Sequence, residues 1–310
     1  MDNENDHVAA LIQLAGKRPA VPDDVAARVR AAVREEWEQS TSRRRTRVRF
    51  AAVAAAAMIA VITAFFVTRT PKTTPPAVRA VVAALESVSG AAIVSDGRFV
   101  EAGAQLRAGD VLETAHGANA SLKWGSDTLR VDGDTRVRLD SDRALFLERG
   151  AVFVASHGHR VVVTTPLGEI RDVGTEFEVR LEMKMVRVRV REGRVDLRSG
   201  GVTRTAVAGV ELSADASGAV TERAIARVGG DWDWIVRAAP AIALEGRTLR
   251  NVVDTVSREK GLRPVYQGVG DARLHGKLPL SPEEALQAAL AASSASARID
   301  GDRLIVRGRR

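Results

Sequence analysis

The sequence predicts a chain of several parts. These are a helical N-terminal segment (residues 1–49), one transmembrane helix (50–67), a proline-rich linker (68–79), an all-β domain built as a sandwich or solenoid-like stack (80–228) and a small α+β domain of order βαββαβ (229–310). Three observations predict it. The run from Phe50 to Val67 carries no charge, the middle of the chain alternates apolar and polar residues with period two, and helical spacing returns beyond Ala241.

The N-terminal segment reads as two short helices. Val8, Leu11, Ile12 and Ala15 recur at helical spacing until Gly16 and Pro19 break the run. A second helix opens near Pro22, Asp23 and Asp24, where proline suits the first turn and carboxylates face the positive end of the helix dipole. Its stripe is Val25, Val29, Val33 and Trp37. Two helices within roughly fifty residues bury too little to hold a core of their own. The apolar faces, Leu11 and the Val25–Trp37 stripe, therefore call for a partner, whether another protein, a second copy or the membrane surface; the alternative is that the two helices pack on each other as a membrane-proximal hairpin.

The uncharged run is long enough to span a bilayer. At about 1.5 Å per residue its helix reaches roughly 27 Å, against about 30 Å of hydrocarbon. Phe50, Ala51, Val53, Met58, Ile59, Val61, Ile62, Phe65, Phe66 and Val67 would meet the lipid. Arg43, Arg44, Arg45, Arg47 and Arg49 crowd its N-terminal side, while Arg69 and Lys72 are sparser on the other. The positive-inside rule then places the N-terminus in the cytoplasm. Pro71, Thr73, Thr74, Pro75 and Pro76 make a stiff spacer beyond it.

From about Val81 short strands follow one another. The runs are Ala91–Val94, Ala120–Leu122, Leu129–Val131, Val137–Leu139, Leu145–Leu147, Val152–Val154 and Val161–Val163. Val186, Val188 and Val190 alternate with Arg187, Arg189 and Arg191, giving one apolar and one charged face. The spread arginines read as a solvated basic surface. Asp96-Gly97, Asp132-Gly133-Asp134 and Ser199-Gly200-Gly201 supply turns. In the last domain, strands are expected at Ile242–Leu244, Pro264–Tyr266, Leu274–Leu278 and Leu304–Val306. Helices are expected after Thr248 and after the capping box that opens at Ser281.

Catalytic chemistry is not legible. The chain has no cysteine, which removes disulfides and thiol nucleophiles. His157 and His159 share a strand face without an evident third metal ligand. Asp132, Asp134, Asp140 and Asp142 lack calcium-loop spacing, and Ser126 and Ser141 lack histidine and acid at motif spacing. Aromatics at 4% are too few for a base-stacking platform. No enzyme activity, cofactor, metal or direct nucleic-acid contact is expected.

Thr165-Pro166-Leu167-Gly168-Glu169-Ile170-Arg171-Asp172-Val173-Gly174-Thr175-Glu176-Phe177-Glu178-Val179 resembles the signature of the FecR family of membrane-bound sigma-factor regulators. The signature positions are Thr165, Gly168, Gly174, Thr175, Phe177 and Val179. Ala108–Thr114, Arg149–Val152 and Val188–Val195 resemble flanking pieces of that family. Asp231-Trp232-Asp233-Trp234 and the α+β tail are similar to its end, and the tail resembles the short N-terminal domain of secretins and TonB-dependent transducers. The resemblance implies a single-pass protein of the bacterial inner membrane with its C-terminus in the periplasm. Its cytoplasmic segment would hold an extracytoplasmic-function sigma factor through Leu11, Val25, Val29, Val33 and Trp37. Its periplasmic part would receive a signal from a TonB-dependent transducer or another periplasmic partner. On the residues alone, Gly168 and Gly174 read as turn positions, and Phe177 and Val179 as one core-facing pair. Trp232 and Trp234 read as anchors between domains or for a partner. The competing reading is an envelope scaffold, anchored in the inner membrane and docking a channel or wall material.

Overall fold

The computed structural model describes residues 23–25, 27–34, 79–94, 97–172 and 174–308. The chain divides into two units, Met1–Ala77 and Val78–Arg310.

In the first unit the described residues are helical, with Val25 half-buried. Val29 and Val33 stand 57% and 62% exposed. Leu11, Trp37, the arginine cluster from Arg43 to Arg49 and the run 50–67 lie outside the described residues. No helix among the described residues is long and apolar enough to cross a membrane.

The second unit begins as two sheets around one core. The first sheet holds β1 (Val81–Ser89), β3 (Gln105–Arg107), β5 (Asn119–Trp124), β6 (Asp127–Val131), β11 (Glu176–Glu182), β12 (Met185–Glu192), β15 (Val210–Asp215) and β16 (Val220–Ala224). The second holds β2 (Ala92–Val94), β4 (Val111–Thr114), β7 (Arg136–Leu139), β9 (Val162–Thr165), β10 (Gly168–Asp172), β13 (Arg194–Ser199) and β14 (Val202–Val207). The long strand β8 (Ala144–Ala155) belongs to both. Its first half pairs with β7 and β9, its second half with β6 and β11. The first sheet runs β3-β1-β5-β6-β8-β11-β12-β15-β16 and the second β2-β4-β7-β8-β9-β10-β13-β14. Beyond the first strands, both sheets grow in chain order, one hairpin after another. The arrangement is thus a solenoid-like stack with a sandwich's shared core.

Alternation explains that core. Leu122, Leu129, Val152, Val154, Phe177, Val188 and Val190 point inward from the first sheet, and Leu112, Val137, Leu147, Val163, Ile170 and Leu197 from the second; all are 0% exposed. The sequence treats Leu145–Leu147 and Val152–Val154 as separate strands, whereas β8 runs through both. Gly150 makes this continuity feasible. It sits at φ 87°, and an added Cβ would lie 2.2 Å from Thr135 Oγ1.

The remainder of the unit contains α1 (Asp233–Arg237), β17 (Ile242–Ala243), α2 (Leu249–Lys260), β18 (Arg263–Gln267), β19 (Pro279–Leu280), α3 (Pro282–Ala292), β20 (Ala295–Asp300) and β21 (Arg303–Gly308). Leu249, Val252, Val253 and Val256 of α2 pack with Leu304 and Val306 in a separate core. Thr248 caps α2, and Ser281 with Glu284 forms the expected capping box of α3. The expected order βαββαβ is corrected to βαββαββ. Leu274–Leu278 forms no strand, because only Leu274 finds a core while Leu278 is 74% exposed. Ala295–Asp300 is a strand instead, paired to β21 across the Asp300-Gly301-Asp302 turn. Its Ser-Ala-Arg content carries little apolar alternation.

Candidate signalling interface

The signature residues build a fixed corner of the stack. Thr165 is buried, and its hydroxyl donates to the Gly168 carbonyl at 3.0 Å while accepting from the Leu167 N–H at 3.2 Å. That closes the β9–β10 turn. Gly168 is required by close approach, since a Cβ there would lie 2.6 Å from the Arg198 carbonyl oxygen. Gly174 has φ 71°. Thr175 donates to the Arg194 carbonyl at 3.0 Å, and its N–H donates to Ser156 Oγ at 2.9 Å. Ser156 in turn donates to Asp172, which also accepts from the Val161 N–H at 2.8 Å. Asp172 is fully buried, and burial pushes its carboxyl above the usual range despite these hydrogen bonds. Phe177 and Val179 face the core at 0% exposure. These side chains hold the fold together and leave no reacting group exposed.

A different region brings charges and aromatics together. On the face of the first sheet turned away from the core lie Arg130, Phe153, Glu178, Arg180, Arg189, Arg191 and Glu211. The turn Gly230–Trp232, α1 and α2 cover this face. The reading of a solvated basic surface therefore needs correction for this face. Arg130 is 4%, Arg191 2%, Glu178 1% and Glu211 4% exposed.

The physical reason is that the cover supplies partners suited to guanidinium groups. Arg130 donates to Glu259 Oε2 of α2 at 2.7 Å. Arg191 donates to the Glu259 carbonyl at 3.1 Å. Its guanidinium lies 5.1 Å from the Phe153 ring centroid and 4.6 Å from that of Trp232. The two rings meet edge to face at 6.5 Å. Trp232 Nε1 donates to the Ala226 carbonyl at 2.9 Å, and Arg180 stands 5.9 Å above Trp234. Both tryptophans are buried, at 1% and 6% exposure, so in this structure they anchor the C-terminal part to the sheet.

Burial lowers the pKa of Arg130 and Arg191 and raises those of Glu176 and Glu178, against the pull of neighbouring opposite charges. Burial also works to raise Glu211, but hydrogen bonds from Arg223 and Arg189 hold it below the ordinary carboxylate value.

Packing along this seam is incomplete: a cleft of about 440 Å³ is lined by Glu176, Arg191, Arg227, Ser257 and Arg258. A cleft of about 290 Å³ beside Trp232 lies within the C-terminal part itself, lined by Val228, Val236, Leu262 and Ile299. Sequence reasoning singled out the tryptophans but missed Arg130, Phe153, Arg191 and Glu259. The available signal was Phe153 itself, whose period-two position puts a large aromatic on the charged face.

Asp127 is 1% exposed and accepts from the His157 N–H at 2.9 Å, with the imidazole Nδ1 atoms of His157 and His159 3.7 and 3.9 Å from its Oδ1. Among the described residues no group of three His, Cys, Asp or Glu side chains is placed to hold a metal ion.

The class defined by this fold is a two-sheet β stack carrying a small α+β unit on one face. Residues 110–196 match the model of the FecR protein family. This stretch of the chain is thus similar to the FecR family, and the signature corner lies inside the match. Two crystal structures of a "putative anti-sigma factor" from Parabacteroides distasonis ATCC 8503 are similar at 15% and 16% identity. Each covers 64% of this chain and 99% of its own length, with a TM-score of 0.36. No curated protein matches the chain.

Proposed function

We propose that this protein regulates an extracytoplasmic-function sigma factor, relaying a periplasmic or outer-membrane signal to transcription by protein–protein contacts and without catalysis. The FecR match over residues 110–196 carries the reading. In this proposal the run 50–67 crosses the bacterial inner membrane once, with Arg43–Arg49 on the cytoplasmic side. The helical segment before it grips the sigma factor by helix-in-groove contacts through Leu11, Val25, Val29, Val33 and Trp37. Exposed Val29 and Val33 support that assignment. The C-terminal part meets a TonB-dependent transducer or another periplasmic partner. A signal passes only if that partner favours one conformation over another.

The test is co-purification of the full chain with the sigma factors encoded in its own genome, compared with a chain lacking residues 1–49. Association that requires the deleted segment is expected. A chain that binds none of them, or binds equally without residues 1–49, refutes the proposal. Reporters fused at residue 30 and after residue 80 should fall on opposite sides of the membrane.

A further inference from the structure

We infer that the seam beneath residues 229–310 is a joint built to open: the C-terminal part leaves the first sheet as a body while the two main cores stay closed. The inference goes beyond the proposed function and stands on the seam's own composition.

The first ground is that each part keeps its own core. The β stack and the C-terminal part have separate apolar clusters, joined only by a small third cluster of Ala151, Phe153, Trp232, Trp234, Ile235 and Ala238. Separation at the seam would therefore leave both main clusters whole.

The second ground is polar. Among the described residues, the buried side-chain atoms without a hydrogen-bond partner are Arg130 Nε, Glu178 Oε2, Arg191 Nε and Nη2, Trp234 Nε1 and Ser257 Oγ. All belong to side chains on the two sides of this one seam. Each gives up hydration on closing without gaining a hydrogen bond from the protein. Opening returns that hydration, so the closed joint is weaker than its buried area suggests.

The third ground is packing. A cleft of about 440 Å³ opens on the seam between Glu176 and Arg191 of the sheet and Ser257 and Arg258 of α2, so part of the facing surface makes no contact. Interfaces of this mixed character between parts of one chain permit relative motion, in contrast to large apolar ones.

The test uses the absence of cysteine from the native sequence. Ala151 and Val152 are neighbours on β8, both 0% exposed, but Ala151 faces the seam and Val152 the β core. Single Ala151→Cys and Val152→Cys variants of the full chain, held in detergent under native conditions, are reacted with a maleimide. Opening at the seam makes Ala151→Cys react at least about 100-fold faster, because sub-global opening exposes it without unfolding the core. Adding Glu259→Ala should raise that rate by about another factor of 100 and leave Val152→Cys within about twofold.

Ala238→Cys, on the other wall of the seam at 1% exposure, and Ala206→Cys, in the β core at 0%, form a second pair. This pair decides the matter if the β8 variants fail to fold. Equal rates within a pair, whether fast or slow, would overturn the inference. So would a fast Ala151→Cys accompanied by a slow Ala238→Cys.

Discussion

The Arg130–Glu259 pair offers the sharpest quantitative prediction. Their side chains are 5% and 16% exposed, and the contact is 2.7 Å. Glu259→Ala leaves the Arg130 charge buried with Ser121 Oγ, at 3.3 Å, as its remaining hydrogen-bond acceptor. Breaking a buried pair from one side costs about 3–5 kcal/mol. Glu259 sits on α2, so the loss falls on docking of the C-terminal part and spares the β core.

At an m-value of about 2 kcal/mol/M, the urea midpoint for that part should drop by roughly 1.5–2.5 M. Hydrogen exchange along a urea series, read separately for peptides of α2 and of β11, resolves the two parts. Replacing both partners by apolar residues, Arg130→Met with Glu259→Leu, should recover the α2 midpoint to within about 0.5 M, because no unpaired charge then remains. Equal shifts in α2 and β11 would refute the reasoning, as would a double variant no better than Glu259→Ala.

Gly168→Ala should lower the unfolding temperature, since its Cβ meets the Arg198 carbonyl oxygen at 2.6 Å; overpacking of this kind costs about 1–3 kcal/mol, and calorimetry reads it. Phe177→Ala, at a position with 0% exposure, should destabilise the β stack by about 3–5 kcal/mol in denaturant titration. Asp172 titrates above the ordinary carboxyl range because it is buried. Its contribution is therefore complete below the unfolded-state pKa and is lost as pH rises through the folded value. The stability of the native chain relative to Asp172→Asn should accordingly fall as pH rises through that window, and a pH-independent difference would contradict the assignment. Arg191→Lys keeps the charge but loses planar stacking between Phe153 and Trp232. It should shift tryptophan emission to the red and speed exchange in the turn Gly230–Trp232.

The β stack was legible because its strands alternate. Val186, Val188 and Val190 reveal their core face from the sequence, and Phe177 and Val179 occupy the predicted shared face. What alternation cannot reveal is what lies over the opposite face. Arg191 looks like a surface residue until Trp232 and Glu259 arrive from some forty to seventy positions later in the chain, a distance over which local pattern carries no contact information. Leu274–Leu278 shows the converse. An apolar residue at each end suggested a strand, but its few backbone hydrogen bonds, to residues 245–247, do not extend into a ladder and the segment stays a loop. Asp172 and Ser156 were hidden because their role is a hydrogen bond across sixteen residues.

The contrast between core and seam bears on how a relay could work. Two states can be exchanged by a partner only if their free energies differ by an amount that binding can supply. Pulling the two sheets apart would strip water-free contacts from Phe177, Leu129, Val188 and Ile170, all at 0% exposure, and the buried polar groups of the stack, such as Asp172 and Thr175, already have hydrogen-bond partners. Lifting the C-terminal part also exposes Trp232 and Phe153, which is costly, but it rehydrates Arg130, Arg191 and Glu178, whose burial is incompletely compensated. The opposing terms partly cancel at the seam and add in the core. Charged alternate positions on the first sheet therefore do more than keep a surface soluble: they set rehydration against apolar burial at the boundary between the β stack and the C-terminal part.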